Sequence, residues 1–134
     1  MKPKISLVTL GVYDSQKSLT FYRDGLGFEP VNYKEGDEMI MFKMEGSFLA
    51  LFPKDKLAED VTVPSEGSGF PGFTIAHNVK SKEEVDEVFK LAVSKGAKPV
   101  KSPQTVFWGG YSGYFADPDG YYWEIAFNPF TDLS

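Results

Sequence analysis

The sequence predicts an α+β fold in which two tandem βαβββ modules, residues 1–63 and 72–134, form curved mixed sheets around a cleft within one domain. Three observations lead there. The order strand, helix, three short strands occurs twice. The copies also hold register. Val12 and Val79 each close the first strand, 79 − 12 = 67 apart, while Glu45-Gly46 and Asp119-Gly120 each precede the last, 119 − 45 = 74 apart. Between the copies lies a stretch rich in Pro, Ser and Gly, Pro64 to Pro71, which reads as a linker.

The elements follow in order. Lys4 to Val12 is rich in β-branched residues and alternates loosely, as a strand does. Asp14 and Ser15 offer an N-cap, and Leu19, Tyr22 and Leu26 recur at i, i+3, i+7 to give a helix that Gly27 closes. The segments FEPVNY, MIMFKM and SFLALF complete the first module as strands, with Glu45-Gly46 as the turn before the last. In the second module Phe73 to Val79 is a strand. Ser81 and Glu84 then form a capping box for a helix with the apolar stripe Val85, Val88, Phe89, Ala92, Val93, ended by Gly96. Strands around Lys98 to Pro99, Gly113 to Ala116 and Tyr121 to Phe127 follow, and DPDG (Asp117 to Gly120) forms the tight turn before the last.

A chain of 134 residues is one domain by length. Fourteen basic against nineteen acidic residues give a net charge of −5, which argues against nucleic acid or an anionic membrane as partner and leaves neutral or cationic small molecules. There is no cysteine, so disulfides, thiolate nucleophiles and cysteine metal sites are excluded. MKPKISLVTLGV lacks the pattern of a secretory signal and no run reaches membrane-spanning length, so a cytoplasmic protein is expected.

With VTLGVYDSQKSLTFYRDGLGFEPV at the front and GGYSGYFADPDGYYWEIAFNP at the back, the chain resembles the vicinal oxygen chelate superfamily over nearly its whole length. That group includes glyoxalase I, bleomycin-resistance and fosfomycin-resistance proteins and extradiol dioxygenases. The resemblance implies a cleft and, commonly, a homodimer. In metal-dependent members one divalent ion is bound by His or Glu from the first and last strands of each half. The corresponding positions here are Leu7 and Thr74 (74 − 7 = 67) and Ala50 and Glu124 (124 − 50 = 74), of which only Glu124 is a good ligand. A catalytic divalent ion takes about three protein ligands, so no metal and no cofactor are expected, and classical glyoxalase I or dioxygenase activity is not. His77, the only histidine, is three residues beyond Thr74 and falls on the opposite strand face.

Alternation puts Leu7, Thr9, Phe48, Ala50, Phe52, Ala76, Tyr122 and Ala126 on the face of Thr74 and Glu124, an apolar and aromatic lining suited to a small organic ligand. Trp108 and Tyr111 flank Gly109-Gly110, a pair that would let an aromatic loop close over the opening. The expected ligand-binding residues are therefore Thr9, Phe48, Ala50, Thr74, Trp108, Tyr111, Tyr122 and Glu124. Three functions compete: a metal-free small-molecule binding protein like the bleomycin-resistance relatives, a metal-free lyase or isomerase with Glu124 as catalytic general base, and a structural dimer with a vestigial cleft.

Overall fold

The computed structural model describes residues 3, 5, 7–62, 64–67, 69–71 and 73–134, and the chain divides into two compact units, Met1–Ser68 and Gly69–Ser134. In each unit the first strand pairs with the last and the last with the one before it, and the second unit adds a fourth strand at the edge.

In the first unit β1 (Leu7–Val12) pairs in parallel with β3 (Phe48–Pro53), which pairs antiparallel with β2 (Ile40–Lys43), giving the order β1-β3-β2. Parallel pairing of β1 with β3 needs a crossover, and α1 (Ser15–Leu19), continued by a π-helical turn over Thr20–Gly25, supplies its helix. The Asp14 side chain accepts from the Lys17 N–H at 3.0 Å and caps α1 as its position predicts. The wider π turn carries both Phe21 and Tyr22 inward, although they are neighbours in sequence. Tyr22, Phe28 and Phe42 then form an aromatic cluster, with ring centroids 5.8 to 6.0 Å apart. Leu10, Val12, Leu49 and Leu51 complete this buried side.

Two elements of this unit differ from expectation. FEPVNY is not a strand: only the bridge Pro30↔Phe42 and the Val31 N–H to Met41 carbonyl bond (2.7 Å) remain. Pro30 has no N–H to give to a ladder, and Asn32 at φ 51° turns the chain out of extended conformation. Conversely, an unexpected helix α2 (Lys54–Val61) follows β3. Its apolar positions, Leu57 and Ala58 among mostly charged residues, make too thin a stripe for a periodicity reading.

In the second unit β4 (Ile75–Asn78) pairs in parallel with β7 (Tyr122–Phe127), β7 antiparallel with β6 (Tyr111–Ala116), and β6 with β5 (Lys98–Thr105), giving the order β4-β7-β6-β5. The crossover helix α3 (Lys82–Ser94) buries Val85, Phe89 and Ala92 against β5, β6 and β7. Ser81 Oγ accepts from the Glu84 N–H at 3.1 Å, but the Glu84 carboxylate answers by accepting from the Lys80 N–H (2.9 Å) instead of from Ser81. On the helix side of the sheet Phe115 and Trp123 stack at 6.4 Å, above a floor that includes Ile125. Strand β5 runs six residues past the expected Pro99, to Thr105. It carries Pro99 and Pro103, and edge position and register shifts on both sides of Lys101 accommodate them.

The repeat is exact at the level of pairing. Thr9 lies opposite Ala50 in the first unit and Ala76 opposite Glu124 in the second, offset by 76 − 9 = 67 and 124 − 50 = 74.

Candidate functional site

Glu124 is fixed by the β6–β7 hairpin. Asp117, 4 % exposed, accepts with its side chain from the Asp119 and Tyr121 N–H groups (2.9 Å each) and closes the DPDG turn from within. That turn sets Ala116 opposite Tyr122, and therefore Tyr114 opposite Glu124. Burial first, then the Glu124 charge and a hydrogen bond to it, push the Tyr114 phenol above its ordinary pKa. Tyr114 therefore stays protonated and serves as a donor.

Cross-strand pairs share a face, so the row Ala76, Glu124, Tyr114 has as its neighbour along the strands Asn78, Ala126 and Ser112. Ser112 is 2 % exposed. In the other direction Tyr122 is half-buried, its ring 6.0 Å from that of Phe70, and Thr74 is exposed just ahead of β4. The face is more polar than the sequence suggested: the expected lining took account of β4 and β7 but not of β6, which contributes Tyr114 and Ser112. Phe70, inside the stretch read as a linker, was also missed, and no periodic signal marks it.

The two loop aromatics part company. A Cβ on buried Gly110 would come within 1.9 Å of the Trp108 ring, so that ring lies flat on the glycine, on the side that alternation along β6 shares with Ser112 and Tyr114. The glycine is thus a seat for an indole and not simply a hinge. Tyr111, one position out of phase, belongs to the helix layer. Its hydroxyl donates to Asp86 of α3 at 2.8 Å, and Lys82 stands 5.8 Å from its ring centroid. Its placement beside Glu124 is therefore corrected: an odd number of residues from Tyr114 turns it to the other face.

In the first unit Thr9 and Ala50 are directly paired and Phe48 lies two residues before Ala50 on the same face. Ala50 is fully buried, while Thr9 and Phe48 are half-buried.

These positions do not fit the family's divalent ion. The paired positions hold Thr9, Ala50, Ala76 and Glu124, and Leu7 and Thr74 add no strong donor. His77 pairs with Ile125, out of phase with Glu124, and is exposed. Among the described residues no three His, Asp or Glu side chains converge.

Comparison with known proteins gives the family. The model of the Glyoxalase/Bleomycin resistance protein/Dioxygenase superfamily matches residues 4–125, and the chain belongs to that superfamily. A glyoxalase-related enzyme from Fulvimarina pelagi is 37% identical, with a TM-score of 0.85 over 95% of this chain and 89% of that one. YraH of Bacillus subtilis (strain 168) is 29% identical over 121 residues, 87% of this chain and 91% of its own length. A lactoylglutathione lyase from Agrobacterium tumefaciens, 24% identical with a TM-score of 0.72 over 98% of both chains, shares the fold. Among the described residues no helix is long and apolar enough to cross a membrane.

Proposed function

We propose that this protein binds a small organic ligand on the Glu124 face of its second unit, with no metal ion in attendance. The observation that carries this reading is the in-register pair of Glu124 and Tyr114 beside aromatic rings. A carboxylate next to a neutral phenol is an acceptor in want of a cation or donor, and the phenol is a donor in its own right. Tyr122 and Phe70 offer a stacking wall, worth about 0.5 to 2 kcal/mol more for a cationic ligand. Trp108 stands on the same side as a reporter. Thr74 remains a polar neighbour, and Thr9, Phe48 and Ala50 are the first-unit equivalents of Ala76, Tyr122 and Glu124. The test is a tryptophan-fluorescence screen of planar cations and small metabolites. Glu124→Gln should weaken the hits about tenfold or more, roughly 1.4 kcal/mol. Equal affinity in the variant would remove Glu124 from the account.

The same pair also favours a second reading, a metal-free lyase or isomerase. Glu124 would accept a proton from a substrate carbon while the Tyr114 hydroxyl donates a hydrogen bond to the neighbouring oxygen, where charge develops. Turnover abolished by Glu124→Gln and slowed by Tyr114→Phe would favour it over binding alone. Family resemblance makes a homodimer the expected assembly, to be checked by light scattering.

A further inference from the structure

The carboxyl ends of the parallel strands β4 and β7 open onto a cavity of about 320 Å³ that neither reading uses. It lies on the helix side of the sheet: Phe127, on its wall, pairs with Tyr111 and is three residues from Glu124, so it turns away from the proposed ligand face. The residues after β7 complete the wall. The Asn128 side-chain oxygen accepts from the Phe130 and Thr131 N–H groups at 2.9 and 3.2 Å and turns the chain there. The Phe130 ring is seated on Gly109, where a Cβ would come within 2.9 Å of it. Phe130 and Leu133 are 74% and 60% exposed, so this wall is apolar and open to a ligand.

The repeat makes a cavity at the same place in the first unit. Val12 and Lys54 line one of about 460 Å³ and correspond to Val79 and Asn128, 79 − 12 = 67 and 128 − 54 = 74. There the Lys54 ammonium donates to the Tyr13 hydroxyl at 2.8 Å. The second-unit equivalent of Tyr13 is Lys80 (80 − 13 = 67), and among the described residues its ammonium has no hydrogen bond and no ion pair. Across the cavity Asp132 commits one carboxylate oxygen, Oδ1, to the N–H and hydroxyl of Ser134, while Oδ2 accepts no bond. Those bonds first, and then the Lys80 charge, hold its carboxyl below the ordinary range. Asn128, with its oxygen engaged, keeps its NH2 group as a donor.

We propose that this cavity is a second site, for a small zwitterion: an amino acid with an apolar side chain. Its carboxylate goes to Lys80 Nζ and the Asn128 NH2 group, its ammonium to Oδ2 of Asp132, and its side chain against Phe127, Phe130 and Leu133. Lys80 and Asp132 border one cavity without pairing, and a molecule bearing both charges bridges them. A ligand with a single charge leaves one of the two unanswered. The volume, at the lower end of the roughly 300 to 1,000 Å³ of small-molecule sites, suits one ring on a short chain.

The experiment is residue-resolved NMR on the full chain, titrated with L-phenylalanine and with two analogues that each carry one of its charges, phenethylamine and 3-phenylpropionate. Phenylalanine should shift the amides of Lys80, Phe130 and Leu133 saturably, and equally in wild type and Glu124→Gln, so that failure of the Glu124 reading leaves this one standing. Each analogue should bind about two- to fivefold more weakly, the worth of an exposed ion pair. The variants should erase one preference apiece. In Lys80→Met phenylalanine and phenethylamine should bind alike, and in Asp132→Asn phenylalanine and 3-phenylpropionate should. Absence of saturable shifts at these amides, shifts confined to the surroundings of Glu124, analogues that bind as well as phenylalanine to the wild type, or preferences unchanged in both variants would overturn the proposal.

Discussion

On the proposed reading Glu124 serves a ligand while Phe89 holds the fold together, and their substitutions should separate those roles. Phe89 is 9% exposed on the stripe by which α3 covers β6 and β7. Truncating such a ring forfeits its transfer energy and leaves a void, about 3 to 5 kcal/mol, with the lower end expected because the residue sits at the rim of the core. Glu124→Gln replaces a half-buried carboxyl by an amide of nearly the same shape, so its cost should stay under about 1 kcal/mol. Urea unfolding followed by far-UV circular dichroism measures both. Phe89→Ala should lower the midpoint at unchanged slope and bring the melting temperature down by roughly 10 °C, with Glu124→Gln near wild type. Equal losses would show that the carboxylate is a structural group, and the reasoning that assigns it to a ligand would fail.

Gly110→Ala should lift the Trp108 ring from its seat, since the new Cβ would stand 1.9 Å from ring atoms, and shift tryptophan emission to the red; an unchanged spectrum would contradict that packing. The Tyr114 phenol, raised by burial and by Glu124, contributes stability that is complete below the ordinary tyrosine pKa near 10 and is lost as pH rises through the higher folded value. Urea midpoints measured from pH 8 to 11 should therefore fall less steeply in Tyr114→Phe than in wild type, and parallel profiles would exclude the coupling. Elemental analysis after a mild chelator wash should find no stoichiometric zinc, nickel, iron or manganese, and about one ion per chain would revive metal chemistry.

The repeat was legible because its punctuation is local: Asp14 and Ser81 as caps, and the turns before β3 and β7, are each readable within a few residues. Once the DPDG turn fixes register, every β6–β7 pair sums to the same number: 116 + 122 = 114 + 124 = 111 + 127 = 238. That sum places Tyr114 beside Glu124 and sends Tyr111 with Phe127 to the helix side, so both were within reach of the sequence had alternation been carried across the hairpin. Other features were not. Helix α2 has little apolar stripe and rests on the sheet through Gly11, a contact between residues 54 − 11 = 43 apart. Phe70 meets Tyr122 by tertiary packing alone. Pro30 looked like part of a strand because its neighbours are apolar, and only the missing N–H and the turn at Asn32 end the pairing.

The central claim is the proposal that Glu124 anchors an organic ligand and not a metal ion. Native mass spectrometry of the protein purified from its own cells, alongside Glu124→Gln, tests it most directly. The account predicts wild-type chains carrying one small organic molecule that is missing from the variant, whereas a divalent ion bound one per chain in the wild type and lost with Glu124 would contradict it.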